Sequence, residues 1–481
     1  MKLGKLLNDV PQNLADTEVT GVACDSRIVK DGFAFVCISG AKEDGHQYAK
    51  QALDKGAAVI ICERSLGLAN EIIVSDGRVT FADMSAKWFD NPAQKLKIIG
   101  ITGTNGKTTV SYLVKVILEA AGHKVGLVGT NQNMVCDKVL PSKNTTPSPY
   151  ELNSLFDIMV KSGCDFAVME VSSHALDQNR VAGLTFEAAL FTNLSQDHLD
   201  YHVTMENYLL AKKKLFKMAK TGIINADDAA AGSIISGLSC DIKTYSIKNK
   251  NADFFAENIE YLPDGVKFDM VSREGGANVK LQTAGEFSVY NALCAGSLCG
   301  VLGLDIKLAA DALTGLSGVK GRAEVVPTGR DFTVIIDYAH TPDGLQNILE
   351  TFAKIPKNRL VVLFGCGGDR DKGKRAKMGE IAARLADYVI FTSDNPRTED
   401  PRAIIDEILE GAKGTATPYE VIENRVGAIE FAIKNASAQD IIILAGKGHE
   451  TYQIIGTGTI HLDEREVVAK AMARRTSSER A

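Results

Sequence analysis

No run of about 18 apolar residues, the length a helix needs to cross a bilayer, occurs in this 481-residue sequence. The amino terminus MKLGKLLNDVPQ meets Asn8, Asp9 and Pro11 before a secretory apolar segment is complete, so neither a membrane span nor a signal peptide is expected. The nine cysteines form no CxxC pair and no zinc spacing. They are expected to be reduced core thiols in a cytoplasmic protein and not a disulfide framework. Neither sign of charge collects in blocks: 54 Lys plus Arg stand against 60 Asp plus Glu, a net charge of -6. That leaves no basic footprint for nucleic acid, and no solenoid-length repeat is evident.

What is present is ordinary globular material, 45% apolar and 24% charged, over about three times the length of a ~150-residue domain. Two breaks divide the chain, Asp90-Asn91-Pro92 and the polar stretch from Ser317 to Gly329, and predict three α/β domains at 1–92, 93–325 and 326–481. The first alternates short strand-like runs (FAFVCI, AAVIIC, EIIVS) with a few helical turns. From Lys97 the pattern becomes strand, loop, helix, repeated, which predicts a parallel sheet covered on both faces. Residues 252–281 alternate every second residue and predict an antiparallel flap, followed by the helix VYNALCAGSLCGVLG. A third α/β series runs from FTVIIDY to DIIILAG, and RRTSSERA is expected to be a mobile polar tail.

Ile98 to Thr109 reads IIGITGTNGKTT, a buried-type strand, glycine punctuation, a lysine, two hydroxyls and then a helix. Backbone N–H groups of Gly103, Thr104, Asn105 and Gly106 can converge on phosphate oxygens, where the helix amino terminus adds partial positive charge. Lys107 adds a full charge, worth ~4 kcal/mol at ~4 Å with an effective dielectric near 20. Thr108 is placed to offer a hydroxyl to Mg²⁺, with Thr109 beside it. Ile101 stands where the strict phosphate-loop pattern has its first glycine.

This loop, together with MEVSSHALDQNR, TNLSQDHLDYH, IDYAHTPDGL, FGCGGDRDKGKR, SDNPRTEDP and AGKGHETYQ in that order along the chain, resembles the Mur ligase family. The resemblance implies a three-domain α/β architecture with a central phosphate-loop ATPase domain, a Rossmann-like carboxyl-terminal domain and a uridine-binding first domain. It implies an ATP- and Mg²⁺-dependent ligase of peptidoglycan precursor synthesis, which adds meso-diaminopimelate to the D-Glu γ-carboxylate of UDP-N-acetylmuramoyl-L-alanyl-D-glutamate through an acyl phosphate. A monomer that binds the UDP-N-acetylmuramoyl dipeptide, ATP and diaminopimelate is expected, with domain closure during turnover.

By the same resemblance, Glu170 and His198 hold Mg²⁺ beside Thr108, and Lys212 is carbamylated to become a further metal ligand. The local sequence alone also allows Lys212, Lys213 and Lys214 to be a solvated helix face, and leaves His202 open between a metal role and a structural one. Ser26 matches a uridine contact, and Asn144, Thr145, Thr146, Ser172, Gln178 and Arg180 match contacts to pyrophosphate, sugar and peptide; NTTPSP equally suits helix capping before Tyr150. Asn291, Arg322 and Asp337 match the grip on adenine, phosphate and ribose. Ser288 and Lys320 depart from the family's usual Asn and Pro.

The resemblance further implies that the amino acid is read by Asp394, Asn395, Pro396 and Arg397, with Arg370, Gly446 and Glu450 as the remaining matched contacts. An Arg fork answers the extra carboxylate of diaminopimelate and an acidic partner its ammonium. DNPR also suits a turn that caps the helix beginning near Pro401. L-lysine addition is the nearest alternative activity, followed by folylpolyglutamate synthase and a non-catalytic nucleotide switch.

Overall fold

The computed structural model describes residues 1–40, 43–262, 265–316 and 318–480, with side chains up to 475; Ser317, at the start of the second sequence break, lies outside the described residues. The chain resolves into two compact units, Met1–Tyr245 with Cys294–Leu304, and Ser246–Leu293 with Asp305–Ala481.

The first unit holds two sheets. Strands β1 (Gly21–Ala23), β2 (Phe33–Val36), β3 (Val59–Cys62) and β4 (Glu71–Ile73) pair in that order, all parallel. Helix Gly77–Trp88 covers them, started by the Asp76 carboxylate, which accepts from the N–H groups of Arg78 and Val79. Such a cap contributes about 1 kcal/mol. The first sequence break is a true turn: Asp90 and Asn91 adopt φ of 60° and 50°, a conformation these two residue types tolerate better than most.

The larger sheet is built from β5 (Lys97–Thr102), β6 (Val125–Val128), β7 (Asn133–Val135), β8 (Lys138–Leu140), β9 (Phe166–Glu170), β10 (Phe186–Phe191), β11 (Ala219–Asn225) and β12 (Asp241–Ser246). Its order is β12-β11-β10-β5-β9-β6-β7-β8. The strands from β12 to β6 are parallel, while β7 and β8 add an antiparallel edge hairpin that periodicity does not predict. Strand β5 lies between β10 and β9 and is buried from Ile98 onward. This central place puts its carboxyl end, and the loop after it, where open α/β sheets carry ligands.

In the second unit β13 (Phe254–Leu262), β14 (Gly265–Ser272) and β15 (Gly275–Leu281) form the expected antiparallel flap, with a bulge between Glu257 and Glu260. Then β16 (Glu324–Val326), β17 (Thr333–Asp337), β18 (Leu360–Phe364), β19 (Tyr388–Phe391), β20 (Tyr419–Val421) and β21 (Ile441–Ala445) order as β16-β17-β21-β18-β19-β20, parallel except for the β16 edge. Two apolar cores flank this sheet, one around Leu349, Phe352 and Ile405 and one around Ile429, Ile433 and Val468. A hairpin, β22 (Tyr452–Ile455) with β23 (Gly458–His461), follows.

The tail has secondary structure that its composition does not predict. RRTSSERA continues the helix Glu464–Arg480, and only Ala481 lies outside the described residues. Arg475 donates to the carbonyls of Ile433 (2.6 Å) and Ala436 (3.0 Å) at the end of helix Arg425–Lys434. The guanidinium there answers the negative end of that helix, which anchors helix Glu464–Arg480 at Arg475.

Candidate functional site

The loop after β5 is shaped by glycine where nothing else fits. Gly103 has φ of 149°, and a Cβ on it would overlap the Thr192 hydroxyl. Gly106, at φ 85°, caps helix Lys107–Ala120. Asn193 receives the Asn105 N–H on its side chain (2.9 Å), and its carbonyl receives that of Thr104 (2.9 Å), so the loop is laced to the end of β10. Lys107 Nζ folds back onto the carbonyls of Gly103 (2.9 Å) and Thr104 (2.8 Å). Thr109 occupies the first turn of the same helix.

Glu170, buried at the end of β9, gathers the neighbouring hydroxyls. Thr108 donates to its Oε2 at 2.9 Å, and Thr130 donates twice, from its N–H to Oε1 (2.8 Å) and from its hydroxyl to Oε2 (3.0 Å). The Thr130 hydroxyl also lies 3.0 Å from that of Thr145, and Thr146 donates to the Glu170 carbonyl at 2.9 Å. Ser172 caps the next short helix and takes part through Thr146, while Arg180 donates to the Thr146 carbonyl (2.9 Å) and to Gln178 Oε1 (2.8 Å). Asn144 belongs to this same loop, its carbonyl accepting from Ser142. Ser148 forms a capping box with Glu151 at the start of helix Pro149–Lys161, so the capping role of NTTPSP coexists with the cluster.

Lys212 is wholly buried on helix Met205–Phe216. Its Nζ donates to the Gly103 carbonyl at 2.8 Å and stands 4.2 Å from the centre of the Tyr208 ring. Burial first, and then the nearby Lys107 ammonium, push this amine well below the usual lysine range. The helix face therefore is not solvated at Lys212. His198 is half exposed, at φ 53°, and desolvation lowers its pKa, which favours the neutral imidazole. His202 is buried with Nε2 2.9 Å from the Ser173 hydroxyl, and His174 packs between the rings of His198 and Tyr201.

Among the described residues no three His, Cys, Asp or Glu side chains converge as a ready ligand set. One hydroxyl, one carboxylate and one neutral imidazole suit a hard divalent cation only in part; a carbamate on Lys212 would add the missing oxygens.

Ser26 lies in the turn after β1, where its hydroxyl donates to Gln51 Oε1 at 2.9 Å. Asn291, Arg322 and Asp337 all lie in the second unit. The Asp337 carboxylate accepts from the N–H groups of Ala323 (2.7 Å) and Ala339 (2.8 Å), and burial raises its pKa against the opposing pull of Arg322. Arg322 sits 5.0 Å from the Tyr338 ring centre. Ser288 spends its hydroxyl on the Ala284 carbonyl (2.9 Å) and Lys320 pairs with Asp463 at 3.7 Å, so both departures serve local structure.

The DNPR segment lies beyond the carboxyl end of β19. Arg397 Nη1 donates to the carbonyls of Gly368 (2.8 Å) and Asn395 (3.4 Å), while its backbone N–H donates to Ile454 (3.1 Å). A Cβ on Gly367 would touch both Arg397 and the stem of Arg370, which places the two arginines side by side. Asp394 accepts from the Asn395 N–H (2.6 Å) and stands against Gly446, and the Pro396 carbonyl closes on Gly368. Glu450 accepts from the Asn395 amide at 2.9 Å. Helix Pro401–Ala412 starts from Asp400 as the turn reading requires.

Three supports are not legible in motif spacing. Thr130 follows a glycine at the end of a short strand and carries no signal of its bonds to Glu170. Arg375, fully buried, forks onto Glu399 (2.9 and 3.0 Å), which in turn accepts from the Asp369 N–H (2.6 Å) and so joins GGDR to DNPR. Lys447 sits inside a quoted motif, yet only the coordinates reveal that its ammonium is buried between Asn395 and Glu450.

Residues 18–93 match the Mur ligase family catalytic domain, 101–299 the Mur ligase middle domain, and 321–448 the Mur ligase glutamate ligase domain. The UDP-N-acetylmuramoyl-L-alanyl-D-glutamate–2,6-diaminopimelate ligase of Caldanaerobacter subterraneus subsp. tengcongensis is 46% identical over 480 residues, 98% of this chain and 99% of that protein. The ligase of the same description from Bacillus licheniformis is 46% identical over 487 residues, with the same coverage. A solved structure of a ligase so described superposes with a TM-score of 0.73 at 34% identity, covering 99% of both chains. With identity at that level along nearly its whole length, the chain belongs to the Mur ligase family.

Proposed function

We propose that the phosphate loop, Glu170, His198 and Lys212 form the reaction centre of an ATP-dependent ligase, and that Arg397 and Glu450 select its incoming amino acid. The chain is an amide-forming ligase of peptidoglycan precursor synthesis that joins meso-diaminopimelate to the D-Glu γ-carboxylate of UDP-N-acetylmuramoyl-L-alanyl-D-glutamate, using ATP and Mg²⁺. The carboxylate takes the γ-phosphoryl group, ADP leaves, the amine attacks the acyl phosphate, and phosphate departs as the amide forms. Little covalent work falls to the protein, so positioning and charge stabilisation carry the catalysis.

In this reading Gly103 to Thr109 cradle the phosphates, and Lys107 exchanges its two loop carbonyls for phosphate oxygens. Asn291, Arg322 and Asp337 hold adenine, phosphate and ribose. Ser26 takes the uridine end of the substrate, and Asn144, Thr145, Thr146, Ser172, Gln178 and Arg180 take the pyrophosphate, sugar and peptide. Mg²⁺ held by Thr108, Glu170, His198 and carbamylated Lys212 would neutralise charge on the transferring phosphoryl oxygens. Arg397 and Arg370 face the distal carboxylate of diaminopimelate, Glu450 its ammonium, with Asp394, Asn395, Pro396 and Gly446 shaping the seat. Residues 1–92, 93–325 and 326–481 divide the work among uridine, ATP and amino acid, in a monomer of the cytoplasm, where ATP and the UDP-linked precursor are found.

Lys212 is the observation that carries this reading. Burial beside a phosphate loop, and then Lys107, shift this amine toward the neutral form that CO₂ adds to, with a new N–C bond and release of one proton. Lys212→Ala should lose at least roughly a thousandfold in kcat, with partial rescue by short-chain carboxylates in the emptied space. A Lys212→Ala enzyme of wild-type rate would refute the assignment.

A further inference from the structure

We propose that Lys447 is a positioning residue that sets amino-acid specificity: by pinning Asn395 and Glu450 together it holds the acceptor for the ammonium in fixed register with Arg397. The inference rests on the reading of Glu450 and Arg397 given above.

Lys447 follows β21 in a turn made by Gly446 and Gly448, whose φ values are 110° and 53°. Its side chain is 0% exposed. A buried ammonium is costly unless paired and hydrogen-bonded, and here Nζ donates to Glu450 Oε2 at 2.8 Å and to Asn395 Oδ1 at 3.1 Å. Three of the four hydrogen-bonding positions of the Asn395 side chain are thereby occupied. Its amide nitrogen donates to Glu450 Oε2 (2.9 Å), and its oxygen accepts from both Lys447 and the Ile454 N–H (2.9 Å). It is scaffold for Glu450, with one amide N–H left over. Its backbone carbonyl meanwhile accepts from Arg397 Nη1, so cation and carboxylate are both registered on one residue, and Lys447 locks that residue.

Glu450 Oε2 carries two donors, whereas Oε1 carries no hydrogen bond among the described residues, and the side chain keeps 12% exposure. One oriented oxygen is left to meet an incoming ammonium. In diaminopimelate the distal amine and carboxylate share a carbon, so their separation is fixed by covalent geometry. A locked Glu450 accepts that amine only where the carboxylate also reaches Arg397. A Glu450 free to rotate would follow the amine of lysine, which brings no carboxylate. Rigidity at Glu450 is thus what converts two contacts into a test of their spacing.

Lys447→Met removes charge and donors at similar length; Lys447→Gln keeps one donor without the charge. Both would be assayed for KM and kcat with diaminopimelate, L-lysine and ATP, alongside thermal melting. The expected result is a diaminopimelate KM raised roughly tenfold or more, about 1.4 kcal/mol, an ATP KM within about twofold, and a preference for diaminopimelate over lysine lowered by a similar factor. Unchanged preference overturns the proposal, whether both KM values rise together or neither moves. So does failure of both variants to fold, which would make Lys447 structural only. A wild-type enzyme that adds no diaminopimelate would instead sink the underlying reading.

Discussion

His174 and His449 are each pushed down to about 4 from the usual value near 6.5, first by burial and then by a neighbouring basic group, His198 for the former and Arg322 for the latter. The unfolded chain binds these protons as the pH falls below about 6.5, and the folded chain does not until about 4. Stability contributed by the neutral rings is therefore present above the unfolded value and drains away between the two. The melting temperature should fall on acidification through that window, and His174→Asn should flatten the slope. A melting temperature that rises or stays level over the same range would contradict the assignment. At this scale motif reading singled out Glu170 and Lys212, and both stand against the loop after β5, Glu170 accepting from Thr108 and Lys212 donating to the Gly103 carbonyl. It missed Thr130 and Lys447, since a threonine after glycine and a lysine between glycines look like countless surface residues until burial is known.

The element to which the proposed function gives most of the chemistry is the strand, loop and helix from Lys97 to Ala120, and it was legible because each part obeys its own local rule. An apolar run makes β5, glycine makes the turn, and an amphipathic stretch makes the helix. The edge hairpin β7–β8 and the antiparallel β16 were not legible, because three-residue strands are chosen by the neighbours they pair with. Gly103 offers the test here. Gly103→Ala places a methyl on the Thr192 hydroxyl at a φ that side chains rarely adopt, so the loop must open. Its kcat/KM for ATP should fall by at least roughly tenfold, with little change in KM for diaminopimelate. Wild-type ATP kinetics in this variant would show that the loop does not depend on that close approach.

For the molecule as a whole, no helix among the described residues is long and apolar enough to cross a membrane, and the three matched segments together span most of the chain. Its activity is best read as a conditional one. Phosphate release from ATP should require the UDP-N-acetylmuramoyl dipeptide, rise strongly with diaminopimelate and rise far less with L-lysine. Equal stimulation by the two amino acids would shift the reading to a lysine-adding ligase, and release without the dipeptide would point to a nucleotide switch.

Neither compact unit is a continuous piece of chain. The first is completed only by Cys294–Leu304, which follows 48 residues, Ser246–Leu293, that pack with the second. On the ribosome, then, an amino-terminal product that stops at Tyr245 still lacks a part of its own interior, and must wait for a segment of the partner unit to be translated first. Shortened versions of this gene are best cut with that order of emergence in mind.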